Sequence, residues 1–239
     1  MVDLGCGSGR LFSSYLAGGA TRILGIDGSP ALLARASARI AADPDLARAE
    51  RDGLIELAVG DVRRVSRTDR FELAVMAGVV SHLDGPEEAL RALVSARGVL
   101  SDDGILIVDG LGPGALPARD MPLSVDWRQS MDGRPVVRRS SLQRRETPEG
   151  LRVLFSTLVD LAEADGTIAR LPASFRLWYP SQVTLLELIR EADLAVEMTY
   201  GSHDLEPLGE ASERCIVVAR RAVGGQPGAP GRGRGSHGS

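Results

Sequence analysis

The sequence predicts an α/β protein: an open, mostly parallel sheet with helices on both faces, interrupted by an antiparallel β insertion. Three observations carry that reading. Short apolar runs alternate with helix-period segments through the first half of the chain, the pattern of strand–helix–strand crossovers. A glycine-rich turn, Gly5-Cys6-Gly7-Ser8-Gly9, follows the first apolar run at once. From about Pro113 to Pro180 the pattern changes to β-prone segments punctuated by Asp-Gly pairs, a strong hairpin signal.

In chain order, the candidate strands of the first half are Met1–Leu4, Arg22–Asp27, Ile55–Gly60, Leu73–Ala77 and Ile105–Asp109. Ser29 is placed to cap a helix with Pro30 at its first position and Leu32, Leu33, Ala36 and Ile40 on one face. Asp84 and Pro86 repeat that start signal before Leu90, Leu93 and Val94. In the insertion, Asp132-Gly133 and Asp165-Gly166 sit between segments such as Val153–Val159 and Phe175–Tyr179. Helix period returns after Ser181 with Val183, Leu185, Leu186 and Ile189, and strands are expected near Val196–Tyr200 and Cys215–Ala219. The expected division is residues 1–112 with 181–223 as one ligand-binding domain and 113–180 as a β-rich insertion. Residues 224–239, mostly Gly, Pro, Arg and Ser, read as a disordered tail.

Composition excludes several classes. The 239 residues are 44% hydrophobic and 25% charged, as in a soluble globular protein. No stretch approaches the roughly 18 apolar residues of a membrane span, and Asp3 with a glycine cluster stands where a signal peptide would be apolar. A net charge of −4 argues against a nucleic-acid partner. The two cysteines, Cys6 and Cys215, suggest neither a disulfide framework nor a metal site. Lysine and asparagine are absent while Arg, Ala, Gly and Pro abound, which points to a GC-rich, bacterial source. A cytoplasmic enzyme is the expectation.

The glycine turn is the most specific feature. Alternate glycines let the backbone turn sharply from strand to helix and let a ligand approach the main chain. A dinucleotide fingerprint would read Gly-x-Gly-x-x-Gly; here the third glycine comes one residue early and Arg10 takes its place. Asp3 precedes the turn, where it would repel a pyrophosphate, so a cationic ligand with an amino group suits the loop better. Asp27 ends the second strand, near the roughly 20-residue spacing of a ribose-binding carboxylate. Gly60-Asp61-Val62 follows the third strand and Ala77-Gly78 the fourth. All of these points fall at the carboxyl edge, where open α/β sheets bind ligands.

In these residues the chain resembles the class I S-adenosylmethionine-dependent methyltransferases of small-molecule type, closely from Met1 to about Gly112 and loosely over Ser181–Arg221. The resemblance implies a Rossmann-like sheet of seven strands with the last antiparallel, a place Cys215–Ala219 can take. It implies S-adenosylmethionine as cofactor, with Gly5, Cys6, Gly7 and Gly9 passing its methionine part and Asp3 contacting its amino group through water. Asp27 and Gly28 would lie at the ribose, the Asp61 side chain and Val62 backbone at the adenine, and Ala77 beside the site.

Members usually begin with a helical segment and a longer first strand, so the chain reads as N-terminally truncated, which leaves its activity as written open. The expected reaction is methyl transfer to nitrogen or oxygen of a small molecule. Met76–Leu83 reads Met-Ala-Gly-Val-Val-Ser-His-Leu, with none of the Asn-Pro-Pro-Tyr element of DNA-amino enzymes. His82, just past the fourth strand, is the candidate general base; packing against the next helix is its structural alternative. The insertion is the expected acceptor cap. Its Trp127, Trp178 and Tyr179, with Arg128, Arg134, Arg138, Arg139, Arg144 and Arg145, suit an anionic acceptor, or else the arginines line solvent-facing edge strands. A non-catalytic remnant and a nicotinamide-dependent oxidoreductase are the rival readings.

Overall fold

The computed structural model describes residues 1–222, so the expected tail at 224–239 lies outside the described residues. The elements run β1 (Val2–Leu4), α1 (Phe12–Ala17), β2 (Ile23–Asp27), α2 (Pro30–Ala42), α3 (Pro44–Arg51), β3 (Ile55–Val59), β4 (Phe71–Ala77), α4 (Pro86–Val99) and β5 (Leu100–Leu111). Then come β6 (Met121–Met131), β7 (Arg134–Thr147), β8 (Gly150–Ala162), β9 (Ile168–Pro180), α5 (Gln182–Glu191), β10 (Leu194–Tyr200) and β11 (Arg214–Arg221). One sheet has seven strands in the order β10-β11-β5-β4-β1-β2-β3. Only β11 runs against its neighbours, pairing antiparallel with both β5 and β10. The Rossmann-like α/β class and its antiparallel last strand are therefore both present.

Alternation of side chains divides the core. Leu24 and Ile26 of β2 join Leu93 of α4 and Ile189 of α5 in one apolar cluster. Ile23 points the other way, into a cluster with Phe12, Leu33, Ile40 and Leu46. Gly25 lies on that second face, where an added Cβ would come 2.7 Å from the Phe12 ring. The strand has a notch there for the aromatic of α1.

The helices begin where the sequence has cap residues. Ser29 Oγ accepts from Leu32 N at 3.3 Å with Pro30 next, as expected. Asp43 does the same for α3, a helix the apolar spacing does not announce, and Pro44 again follows the cap. At α4 the expectation needs correction. Gly85, at φ 138°, holds the cap position, and the Asp84 N–H donates to Glu88 Oε2 at 3.0 Å. Val94 and Val183, expected on buried helix faces, are 47% and 65% exposed.

A second, four-stranded antiparallel sheet runs β6-β7-β8-β9. Asp132 and Gly133 form a two-residue turn with φ of 50° and 76°, joining Met131 to its partner Arg134. Both values lie in the left-handed region, as the primed turn that matches strand twist requires. Pro148-Glu149 closes a second hairpin, unannounced by any Asp-Gly pair, between the paired Thr147 and Gly150. Trp178 of β9 is 1% exposed and belongs to the same apolar cluster as Leu83 and Leu185. The two sheets share a core through that residue.

Candidate functional site

The carboxyl ends of β1, β2 and β4 converge on the glycine turn. Gly5, Gly7 and Gly9 have φ of 82°, 56° and 67°, values that other residues rarely adopt. Gly5 also packs under Val79: an added Cβ would lie 2.4 Å from Val79 Cγ2. Gly7 and Gly78 have no atom within 4 Å of where a Cβ would stand, so their backbones face open space. The turn is stitched to β2, since the N–H groups of Gly5 and Cys6 donate to Ile26 O at 2.7 and 3.0 Å.

Asp27 is held from both sides. Its Oδ2 accepts from Gly7 N at 2.8 Å and its Oδ1 from Ser29 N at 2.8 Å. Each oxygen retains a lone pair for a further donor. Gly28 has an ordinary φ, and a Cβ there would meet only Gly60 O at 3.7 Å, so its place in the backbone does not require glycine.

Asp3 lies beneath the turn, 2% exposed, where Tyr15 Oη donates to its Oδ2 at 3.2 Å. Burial raises its pKa to about 6; Tyr15 opposes that rise and the charge of Asp27 adds to it. Tyr15 was not foreseen, since a lone tyrosine one helical turn into α1 reads as core. Burial also pushes the Cys6 thiol up to about 12, which makes it a packing residue with no nucleophilic character.

Asp61 caps the short turn Val62–Arg64 and grips Arg63 with both oxygens, Nε to Oδ1 at 2.8 Å and Nη2 to Oδ2 at 2.8 Å. Arg63 also pairs with Glu88 of α4. The Arg63 hydrogen bonds lower the Asp61 pKa to about 2 and fix the carboxylate in the charged form. Val62 is half-buried against the main core.

Ala77 ends β4, and the Gly78 N–H donates to Asp109 O at 2.7 Å. His82 closes the following turn, Val80–His82, and is exposed. Sequence reasoning missed a second histidine at this edge: His203 Nε2 lies 3.1 Å from Asp109 Oδ2, and Arg214 Nε donates to Asp109 Oδ1 at 3.0 Å. Asp109 ends the apolar run Ile105–Asp109 as Asp27 ends its own, a signal that was available. His203, 94 positions away, gave none. Among the described residues no cluster of side chains could hold a metal ion, and no helix is long and apolar enough to cross a membrane.

Residues 2–106 match the family model of a methyltransferase domain. The fold is similar to the CcbJ methyltransferase from Streptomyces caelestis, at 20% identity over 93% of this chain and 83% of that one, TM-score 0.70. An S-adenosylmethionine-dependent methyltransferase from Clostridium acetobutylicum aligns at 13% identity over 92% and 82% of the two chains, TM-score 0.69. The sugar N-methyltransferase KedS8 from Streptoalloteichus aligns at 20% identity over 92% and 78%, TM-score 0.68. No curated protein sequence matches significantly. The chain thus has the fold of the S-adenosylmethionine-dependent methyltransferases, and the match to the methyltransferase-domain model falls on the half that carries the glycine turn.

Proposed function

We propose that the chain transfers the methyl group of S-adenosylmethionine to a nitrogen or oxygen atom of a small molecule. One observation carries the reading most. The left-handed glycine turn leaves the backbone of Gly7 open beside Asp27, whose two oxygens are already oriented by main-chain donors. These residues fit the cofactor. A cradle without Cβ atoms suits the methionine part, and the lone pairs left on Asp27 suit a ribose diol. The buried Asp3 carboxylate suits a cationic amino group. Cys6, Gly9, Gly28, Asp61, Val62 and Ala77 complete the proposed contacts.

When bound, the cofactor supplies a methyl group on a sulfonium, already activated for in-line displacement. What remains for the protein is alignment and exclusion of water. The proposed acceptor cap is the four-stranded sheet, whose β9 packs on the Val80–His82 turn. His82, exposed on that edge, takes the acceptor's proton where the acceptor arrives protonated or as a hydroxyl. The sugar N-methyltransferase among the similar folds supports a nitrogen acceptor.

Calorimetric titration with S-adenosylhomocysteine tests the reading. Saturable binding that weakens in Asp27→Ala is the expected result; unchanged affinity in that variant would remove Asp27 from the site.

A further inference from the structure

Beside the proposed acceptor edge lies a cleft of about 570 Å³ between Leu83-Asp84 and the β7–β9 face. Register decides what lines it. Arg145 pairs with Arg152 and Arg152 with Trp178, and in the next row Gln143 pairs with Leu154 and Leu154 with Arg176. Positions two apart share a face, so Arg145, Arg152, Arg176 and Trp178 all stand on one side of the sheet.

This cluster differs from most of the other arginines of the sheet. Arg134 pairs with Glu163, Arg138 with Asp126, Arg139 and Arg170 with Asp160, and Arg144 with Glu146. Most of the arginines that the sequence offered for an anion are therefore matched by acids on the same or adjacent strands. Among the described residues, no carboxylate forms an ion pair with Arg145, Arg152 or Arg176; Arg152 donates only to the Asp84 carbonyl oxygen, at 3.1 Å. Arg145 sits directly opposite Arg152, a like-charge pairing that costs stability in a sheet. Trp178 also lines the cleft, and its indole N–H is buried without a hydrogen-bond partner. A buried donor left unpaired costs on the order of 1–3 kcal/mol.

Arg145, Arg152 and Arg176, without acidic partners in a cleft whose lining holds one carboxylate residue, Asp84, call for an acceptor-rich anion of more than one charge. A carboxylate is satisfied by a single bidentate arginine, whereas a phosphate offers three oxygens and close to two charges. We infer that this cleft binds a phosphate ester or diphosphate carried by the methyl acceptor. Leu83 and Asp84 directly follow the Val80–His82 turn, so an acceptor anchored there extends toward the end of β4. The inference rests on the methyltransferase reading for what the ligand is, but not for whether an anion binds.

The test is calorimetry of the full chain with inorganic pyrophosphate, alongside a separate titration with S-adenosylhomocysteine. Saturable pyrophosphate binding is expected, weakened at least about tenfold in the exposed double variant Arg145→Gln/Arg176→Gln. Arg128→Gln, on β6 outside the cleft, should leave it unchanged. S-Adenosylhomocysteine affinity should not move in the arginine variants. Absence of saturable binding, an equal loss in Arg128→Gln, or citrate binding as tightly as pyrophosphate would each overturn the inference. Failure of S-adenosylhomocysteine alone would sink the methyltransferase reading and leave the anion cleft supported.

Discussion

The glycine turn and the four-stranded sheet solve opposite problems. In the turn, backbone does the work. Left-handed glycines and main-chain donors fix Asp27, and few side chains are involved. In the sheet, side chains do it, through arginines sorted into paired and unpaired sets on a regular ladder. A backbone-built site tolerates little change, because its geometry is the fold. A side-chain-built site can change its ligand without disturbing strand pairing. The contrast suits a fixed cofactor at one end and a variable acceptor at the other.

The sharpest way to break this division is at its boundary, His82. Once an acceptor is found among small amines, phenols and phosphorylated compounds, His82→Gln should lower turnover by roughly 10²–10⁴-fold. S-Adenosylhomocysteine affinity and melting temperature should stay put. A loss confined to those two quantities would assign His82 to the backbone-built half. The same substitution at His203 discriminates between the two edge histidines in one assay.

Next in size is Asp27→Ala, which removes a charged acceptor and should weaken S-adenosylhomocysteine binding by roughly 1.5–3 kcal/mol. Pyrophosphate binding at the β7–β9 cleft should be unaffected, and a joint loss would mean that the two regions are not separable.

Asp3 makes the cofactor end pH-sensitive. Its folded pKa, about 6, is raised above the 3.8 of a free carboxyl by burial and by Asp27, with Tyr15 opposing. Its contribution to stability is therefore full below about pH 4 and is lost as pH rises through about 6. Affinity for a cationic amino group runs the other way, because binding favours the ionised form. Between pH 5 and 7, S-adenosylhomocysteine should bind up to about tenfold more tightly, with proton release. Asp3→Asn should flatten that dependence.

The smallest effect belongs to the insertion's turn. Asp132→Ala at a left-handed position should lower the melting temperature slightly, for a cost of about 1 kcal/mol, and leave both ligands bound as before. A large loss of cofactor affinity would show that the sheet props up the glycine turn.

What the sequence made legible follows the same line between backbone and side chain. Strands buried on both faces read as apolar runs, so β1, β2, β4 and the Ile105–Asp109 part of β5 were visible, as was the half-buried edge strand β3, and glycine spacing announced the turn. β6 was not, because its residues are almost all exposed and nothing imposes alternation on them. β5 runs from Leu100, five residues ahead of its apolar stretch, through Ser101-Asp102-Asp103-Gly104. Those residues fall in a register irregularity between the Phe71–Leu100 and Leu73–Ile105 pairs, where Asp102 and Asp103 are exposed and no apolar alternation is imposed. Long-range side-chain partners left no trace either: Asp109 with His203, Arg145 with Arg152, and Phe12 with the notch at Gly25 arise only once register is set.

Both tryptophans of the chain, Trp127 and Trp178, lie in the four-stranded sheet, and only Trp178 is buried in the shared core. Intrinsic fluorescence is consequently a one-sided reporter, blind to the seven-stranded sheet except through Trp178. If that residue welds the halves into one cooperative unit, denaturation followed by tryptophan emission and by far-ultraviolet dichroism should coincide. An emission change that comes first would reveal the insertion peeling away as its own foldon, with the parallel sheet still intact.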